Sequence, residues 1–239
     1  MSDIKTGTKI TMVLTDMPLG IQVGNKHYFL YPQTLGKIYL TSQIIDRLEI
    51  NQDNLKVNAF MEALRVVGEH FDDCCLLIAY HTLQKKNEVL NTQTVERRKK
   101  EIFYTCDNDD LATILIALLS DNKLNELIKE LGLDKESERM AKVNQAKDTK
   151  NQFVFGGKSI WGSLIDAACE RYGWTYDYVV WGISYNNLNL MLKDKITSIY
   201  LSDEERKKAH IPAANEHIFD GNNKEDIMRM VRESEEHPE

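Results

Sequence analysis

The chain has 239 residues, 42% of them hydrophobic, and a net charge of −7. That length admits one large domain or a medium one with an appendage, and the apolar share argues against wholesale disorder. An excess of acid repels a phosphate backbone over the whole surface, so general nucleic-acid binding is disfavoured. Met1 to Thr6 is polar, and no apolar run approaches the roughly 20 residues of a membrane span. The expectation is a cytoplasmic protein without a membrane partner.

Lys9 to Leu14 has the composition of a strand. Ile21 to Val23 and Lys26 to Tyr31 flank Gly24-Asn25, a pair suited to the positive φ of a two-residue hairpin turn, and Pro32 ends the second strand. Helices follow. Thr34 caps one running to about Leu48. Asn54 opens a second through Phe60, Leu64 and Val67, and Asp72-Asp73 precede a third through Leu77, Tyr80 and Leu83. Residues 85–100 are polar, an exposed connection or the start of a helix, and carry the basic cluster Glu96 to Glu101. Asp107 to Asp110 caps a strongly apolar helix to Leu119, expected at the centre of the N-terminal core. Another helix starts at Asp121 and stops at Gly132.

From Asp134 the apolar pattern is lost, and a linker is placed at 134–158, with Phe153 and Phe155 as anchors. Ser159 opens a closing module. Trp161, Leu164, Ile165, Ala168 and Cys169 form one helical stripe; Tyr172-Gly173 stops it; Thr175 caps a second helix; Ser184 starts a third, with a stripe reaching Ile196 and Ile199. Ser202 and Glu205 form a capping box. Beyond it lie a loop at 209–223 and a short charged helix at 224–236. The fold class is mainly α with a small N-terminal antiparallel β element. The divisions are a β-hairpin and helical domain at 1–133, the linker, a three-helix aromatic module at 159–202, and a polar tail at 203–239.

Motifs for chemistry are scarce. Gly157-Lys158-Ser159 lacks the earlier glycine of a phosphate loop, since Phe153 and its neighbours stand in its place. No two histidines share zinc spacing, and His81 reads as a hydrogen-bonded core or boundary residue. Cys74, Cys75, Cys106 and Cys169 form no C-x-x-C pair and read as buried thiols. The acidic pairs read as helix starts. No catalytic residue, metal site or cofactor is expected.

All three tryptophans fall in one block, Trp161 to Trp181. Cys169, Gly173 and Val179 match the spacing of a helix-turn-helix, but the second helix, Thr175 to Ile183, carries no Arg or Lys to read bases. Its rings could form a compact core or a core with a docking face. The candidate partner-binding residues are Trp161, Tyr172, Trp174, Tyr178, Trp181 and Tyr185.

The succession of a Trp161-led helix, Tyr172-Gly-Trp-Thr175 and Tyr176-Asp-Tyr-Val-Val-Trp181, together with Phe29 to Leu40, resembles the tail assembly chaperones of tailed bacteriophages. The resemblance implies a non-enzymatic assembly factor, of phage or prophage origin, that binds the tape measure protein and recruits tail tube protein subunits. It also implies a short and a frameshift-extended form, with a boundary near Gly157-Lys158. Self-association is a further option. The alternative is an interaction or regulatory adaptor of a mobile element, whose helix-turn-helix-like module does not bind DNA.

Overall fold

The computed structural model describes residues 10–23, 26–119, 123–147 and 157–211. It is mainly helical, with one two-stranded antiparallel sheet near the N-terminus, as the sequence implies. Strands β1 (Leu19–Val23) and β2 (Lys26–Leu30) pair from Leu19 opposite Leu30 to Val23 opposite Lys26. Tyr28 and Leu30 point into the core while His27 and Phe29 face out, the period-two alternation of a half-buried ribbon. The turn residues Gly24 and Asn25 lie outside the described residues.

Helix α1 (Leu35–Arg47) starts where expected, its first turn capped by the Thr34 hydroxyl, which accepts from the Lys37 amide. Helices α2 (Gln52–Val57) and α3 (Ala59–Thr82) replace the two helices expected between 54 and 83. Asn51 caps α2 and Asn58 caps α3. The break anticipated at Asp72-Asp73 is instead a kink at His70, whose φ of −131° is non-helical. The helix continues past it because both halves bury apolar faces: Ala63, Val66 and Val67 before, Cys74, Cys75, Leu77 and Ile78 after. The acidic pair is used for ion pairs in mid-helix. Asp73 takes both Nε and Nη2 of Arg47, and Asp72 takes Lys99 at 2.5 Å.

The polar stretch after α3 is helical, as α4 (Lys86–Val89) and α5 (Thr92–Thr105). The basic cluster lies on α5, where Arg98 pairs with Glu101 and Glu101 also takes Lys26 of the hairpin. Helix α6 (Asn108–Leu119) opens with the Asp107 carboxylate accepting from the Asp110 amide at 2.9 Å. Its buried residues Leu111, Ala112, Ile114 and Leu115 share one core with α3, β2 and α1. The long helix α3, rather than α6, is the element against which the others pack, since α1, α2, α5, α6 and β2 all contact it. Helix α7 (Lys123–Glu130) ends as expected at Gly132, whose φ is +68°.

Two expectations are corrected here. The strand expected at Lys9 to Leu14 is helical over residues 10–14. Ile10 and Val13 lie three apart, so one helical face puts both against Leu124, Leu127, Ile128, Leu133 and Leu190. That burial outweighs the β-propensity of Ile, Thr and Val. The linker placed at 134–158 is occupied to Ala146 by helix α8 (Leu133–Ala146), with Leu133 buried at its start and Val143 buried further on. Five apolar residues, two of them alanine, on a charged helix were too few to signal it. Phe153 and Phe155 lie outside the described residues, as does the helix expected at 224–236.

The chain divides into two units. In the first, the described residues within 1–135 and 154–196 cluster together, so the aromatic module belongs to the same unit as the helical body. The second comprises the described residues within 136–153 and 197–239. It holds most of α8, with an Arg139–Glu136 ion pair, and helix α11 (Asp203–Lys208), which opens with the expected capping box of Ser202 and Glu205. Among the described residues no helix is long and apolar enough to cross a membrane.

Candidate functional site

The aromatic block folds as helix α9 (Ile160–Tyr172), a single π-helical turn (Tyr178–Gly182) and helix α10 (Tyr185–Lys193). Each boundary has a local cause. The Ser159 hydroxyl accepts from the Gly162 amide and starts α9. Gly173 ends it in the left-handed region at φ 65°, where a Cβ would be strained. Ser184 caps α10 through the Asn187 amide. Helix α10 stops at Lys193, so the stripe expected to reach Ile196 and Ile199 is cut short, and Ile196 is 90% exposed.

The second helix of the helix-turn-helix reading is not a regular one. Thr175 caps its start through the Tyr178 amide, but the turn widens, with the Ile183 amide donating to the Tyr178 carbonyl five residues back at 3.0 Å. Val179 is fully buried among Leu35, Ala168, Ile183 and Leu188. A wound-out turn of five residues offers no straight rod to lie in a groove.

Five of the six candidate residues fall into two groups around this turn. Tyr172, Trp174 and Tyr178 come together. Tyr172 stacks on Trp174 at 4.6 Å between ring centres and 28° between planes, and Trp174 meets the edge of Tyr178 at 5.2 Å. Both geometries are favoured by the ring quadrupoles. The Tyr172 hydroxyl donates to the Met191 carbonyl, tying the rings to α10. The Arg171 guanidinium lies 5.8 Å from the Tyr172 ring centre and donates to the Ile196 carbonyl. Tyr178 is 44% exposed, and Tyr176, 65% exposed, adds a ring outside the original six. Its signal was available, since Tyr176 lies between Trp174 and Tyr178 in a turn too short to hide every ring.

Trp181 packs on the helical body, and the backbone of Tyr185 is tied to it. Trp181 packs over Gly36 of α1 and against Leu83, Val89 and Val95. Lys86 of α4 sits 5.8 Å from its ring centre and pairs with Asp177. The Tyr185 amide donates to the Gln33 carbonyl at 2.7 Å, and Thr34 and Ser184 form an isolated antiparallel bridge. Asn187 adds a bond from its amide nitrogen to Asp16. The Trp181 ring and the Tyr185 backbone are thus attachment points, while the Tyr185 ring packs in the same cluster as Tyr172 and Trp174. Trp161, at the start of α9, is 40% exposed and makes no ring contact with the other five.

A few titratable groups elsewhere are buried. Burial pushes the Cys74 and Cys75 thiols up to about 12 and Cys106 to about 11, the opposite of a reactive thiolate. His81 donates from Nδ1 to the Leu77 carbonyl, the bonded boundary histidine expected, and burial lowers it to about 4. Lys37 is 1% exposed, and its amine donates to the Leu83 carbonyl at 2.8 Å; burial lowers it to about 8. Glu62 is held down to about 2 by Arg65, with further bonds from Asn51 and Asn54. Among the described residues no three His, Cys, Asp or Glu side chains converge as metal ligands.

No protein-family model matches the chain, and neither the curated proteins nor the solved structures yield a match.

Proposed function

We propose that the chain is a non-catalytic tail-assembly-chaperone-like protein, which binds a tape measure protein and recruits tail tube subunits in the cytoplasm of the host cell. The observation that carries this reading is the ring cluster of Tyr172, Trp174 and Tyr178, on a module whose other side is held on the body through Trp181 and Tyr185. Aromatic residues gathered on a surface favour protein docking, because they bring large area at small entropic cost. A rigidly attached module also presents its rings in one arrangement, which lowers the ordering cost of binding. The resemblance of the Trp161 to Trp181 block supplies the identity of the partners.

Co-expression with the long helix-rich protein encoded downstream of a tail tube gene tests this directly. The expected result is a soluble complex that Trp174→Ala weakens at least tenfold while the variant keeps its circular dichroism. An intact complex with a folded Trp174→Ala variant overturns the docking role. Tight, salt-sensitive DNA binding in place of a protein complex overturns the reading as a whole.

A further inference from the structure

The helical body carries two exposed apolar patches, placed on either side of Gly68 along α3. The first is Val57 of α2 with Phe60 and Met61 at the start of α3, all exposed. Val57 and Met61 border a hollow of about 250 Å³ that Asn54, Asn58 and Arg65 also line. The second patch is at the end of α5. Phe103 meets Phe71 of α3 edge to face at 5.2 Å and Tyr104 at 5.4 Å, and Tyr104 is 82% exposed. Apolar groups gathered on a surface in this way mark contact with another molecule.

The two patches carry opposite charge. Beside the first, Arg65 is shared between Glu62 and Glu69, and Lys56 meets Asp53. Glu49, whose carbonyl also accepts from Arg65, has no cation on its side chain among the described residues, so acid is in excess. Beside the second, Glu101 is spent on Lys26 and Arg98, and Asp72 on Lys99. Arg97 and Lys100 are then left without an ion pair among the described residues, with Glu96 the remaining acid of that helix. Arg97, Lys100 and Tyr104 stand at i, i+3 and i+7, on one exposed face of α5.

Gly68 lies between the patches, on the exposed side of α3 and seven residues on from Met61, so it shares that residue's face. A Cβ on Gly68 would meet nothing within 4 Å, and its φ is not left-handed. Neither packing nor backbone geometry within the chain calls for glycine there, and glycine inside a helix weakens it relative to alanine. What it adds is room for a second backbone to come close.

We propose that a second copy of this chain covers this face in a two-fold dimer, with α3 crossing its counterpart at Gly68. Phe103 and Tyr104 of each copy lie on Val57 and Met61 of the other, with Tyr104 in the hollow. Arg97 and Lys100 of each face Glu49, Asp53 and Glu69 of the other. A two-fold contact needs a surface complementary to itself, and opposite charges on apolar patches flanking one bare point of a helix have that form. A nucleic-acid strand laid along the same face would set its phosphates against the acidic patch. The inference rests on the helical body alone and stands or falls independently of the tail-assembly reading.

Sedimentation of the full chain over about a hundredfold range of concentration tests this. The expected result is a dimer that dissociates on dilution and weakens as salt is raised. Gly68→Arg, for which there is open space, is expected to keep the helical circular dichroism and to weaken association about tenfold or more. Lys100→Glu and Asp53→Lys are each expected to weaken it about tenfold, since each sets like charges together twice in the dimer. Mixed together, those two variants are expected to associate again, because the reversed charges then face each other and the second pair of patches is native. A native chain that stays monomeric throughout overturns the proposal, as does a dimer indifferent to salt; neither result needs a variant to fold. A dimer that Gly68→Arg leaves intact forms through another surface, and overturns it as well.

Discussion

Gly36 of α1 lies face to face with Trp181: a Cβ added to the glycine would come within 2.7 Å of three carbons of the indole ring. The contact joins the aromatic module to the body, and only a residue without a side chain permits it. Gly36→Ala is therefore expected to destabilise the chain by about 1–3 kcal/mol, the usual cost of overpacking. Trp181→Leu in the same chain should recover part of that loss. Urea denaturation of the two single variants and the double variant measures the coupling. Additive losses would show that the two residues do not press on each other.

The different surroundings of the block's tryptophans imply different costs for removing them. Trp181 is packed between α1 and the Leu83, Val89 and Val95 cluster, so Trp181→Ala removes a large part of the module's attachment, at about 3 kcal/mol. Trp161 is 40% exposed, and Trp161→Ala should change stability by less than about 1 kcal/mol. Equal losses for the two would contradict the arrangement.

Much of this was legible in the sequence, for identifiable reasons. Caps announce themselves locally, so Thr34, Asp107, Ser159, Ser184, Ser202 and Gly173 each mark a boundary that the structure keeps. Long-range packing does not. The helical turn at 10–14 depends on Leu127 and Leu190, far along the chain, and the kink at His70 has no local sequence signal such as Pro or Gly at that position. The candidate rings were found by type, but the different neighbours of Tyr178 and Trp181 lie on a π turn, and one extra residue in a turn has no reliable sequence signal.

Lys37 makes stability depend on pH in the alkaline range. Its amine titrates near 8 in the folded chain and near 10.5 when exposed. Between those values the unfolded chain holds the extra proton, so this group's contribution rises with pH across the window and is unfavourable below it. The buried thiols, whose pKa is raised, act in the opposite sense over an overlapping range. The Lys37 effect is thus read as a difference between the native chain and Lys37→Met. The variant is expected to be more stable by about 1–2 kcal/mol at pH 7, with the gap closing by pH 10. A gap that does not change with pH would sink the assignment.

His81 acts at the acid end. It titrates near 4 when folded, against an ordinary value of 6.5. As pH falls through that interval the unfolded chain gains a proton that the folded chain refuses, and stability declines. The His81 ring proton followed by NMR is expected to hold its neutral shift down to about pH 5. A titration midpoint near 6.5 would show that the ring is not enclosed as described.

The π turn itself can be tested through Gly182. A Cβ there would strike the Tyr178 ring at Cδ2 and would lie 2.9 Å from Cε2. The ring must move away, and Tyr178 is the ring whose edge meets Trp174 at 5.2 Å. Gly182→Ala is accordingly expected to cost about 1–2 kcal/mol and to change the near-ultraviolet circular dichroism of the aromatic residues, with the far-ultraviolet helical signal kept. Tyr178→Ala, which removes the obstructing ring, should make the further change Gly182→Ala nearly neutral in stability. If Gly182→Ala leaves the aromatic signal of the native chain intact, the ring cluster does not depend on the wide turn. If it alters that signal and also weakens the proposed tape measure complex, the turn sets the geometry in which the rings are presented, and the extra residue between Tyr178 and Ile183 has a reason to be there.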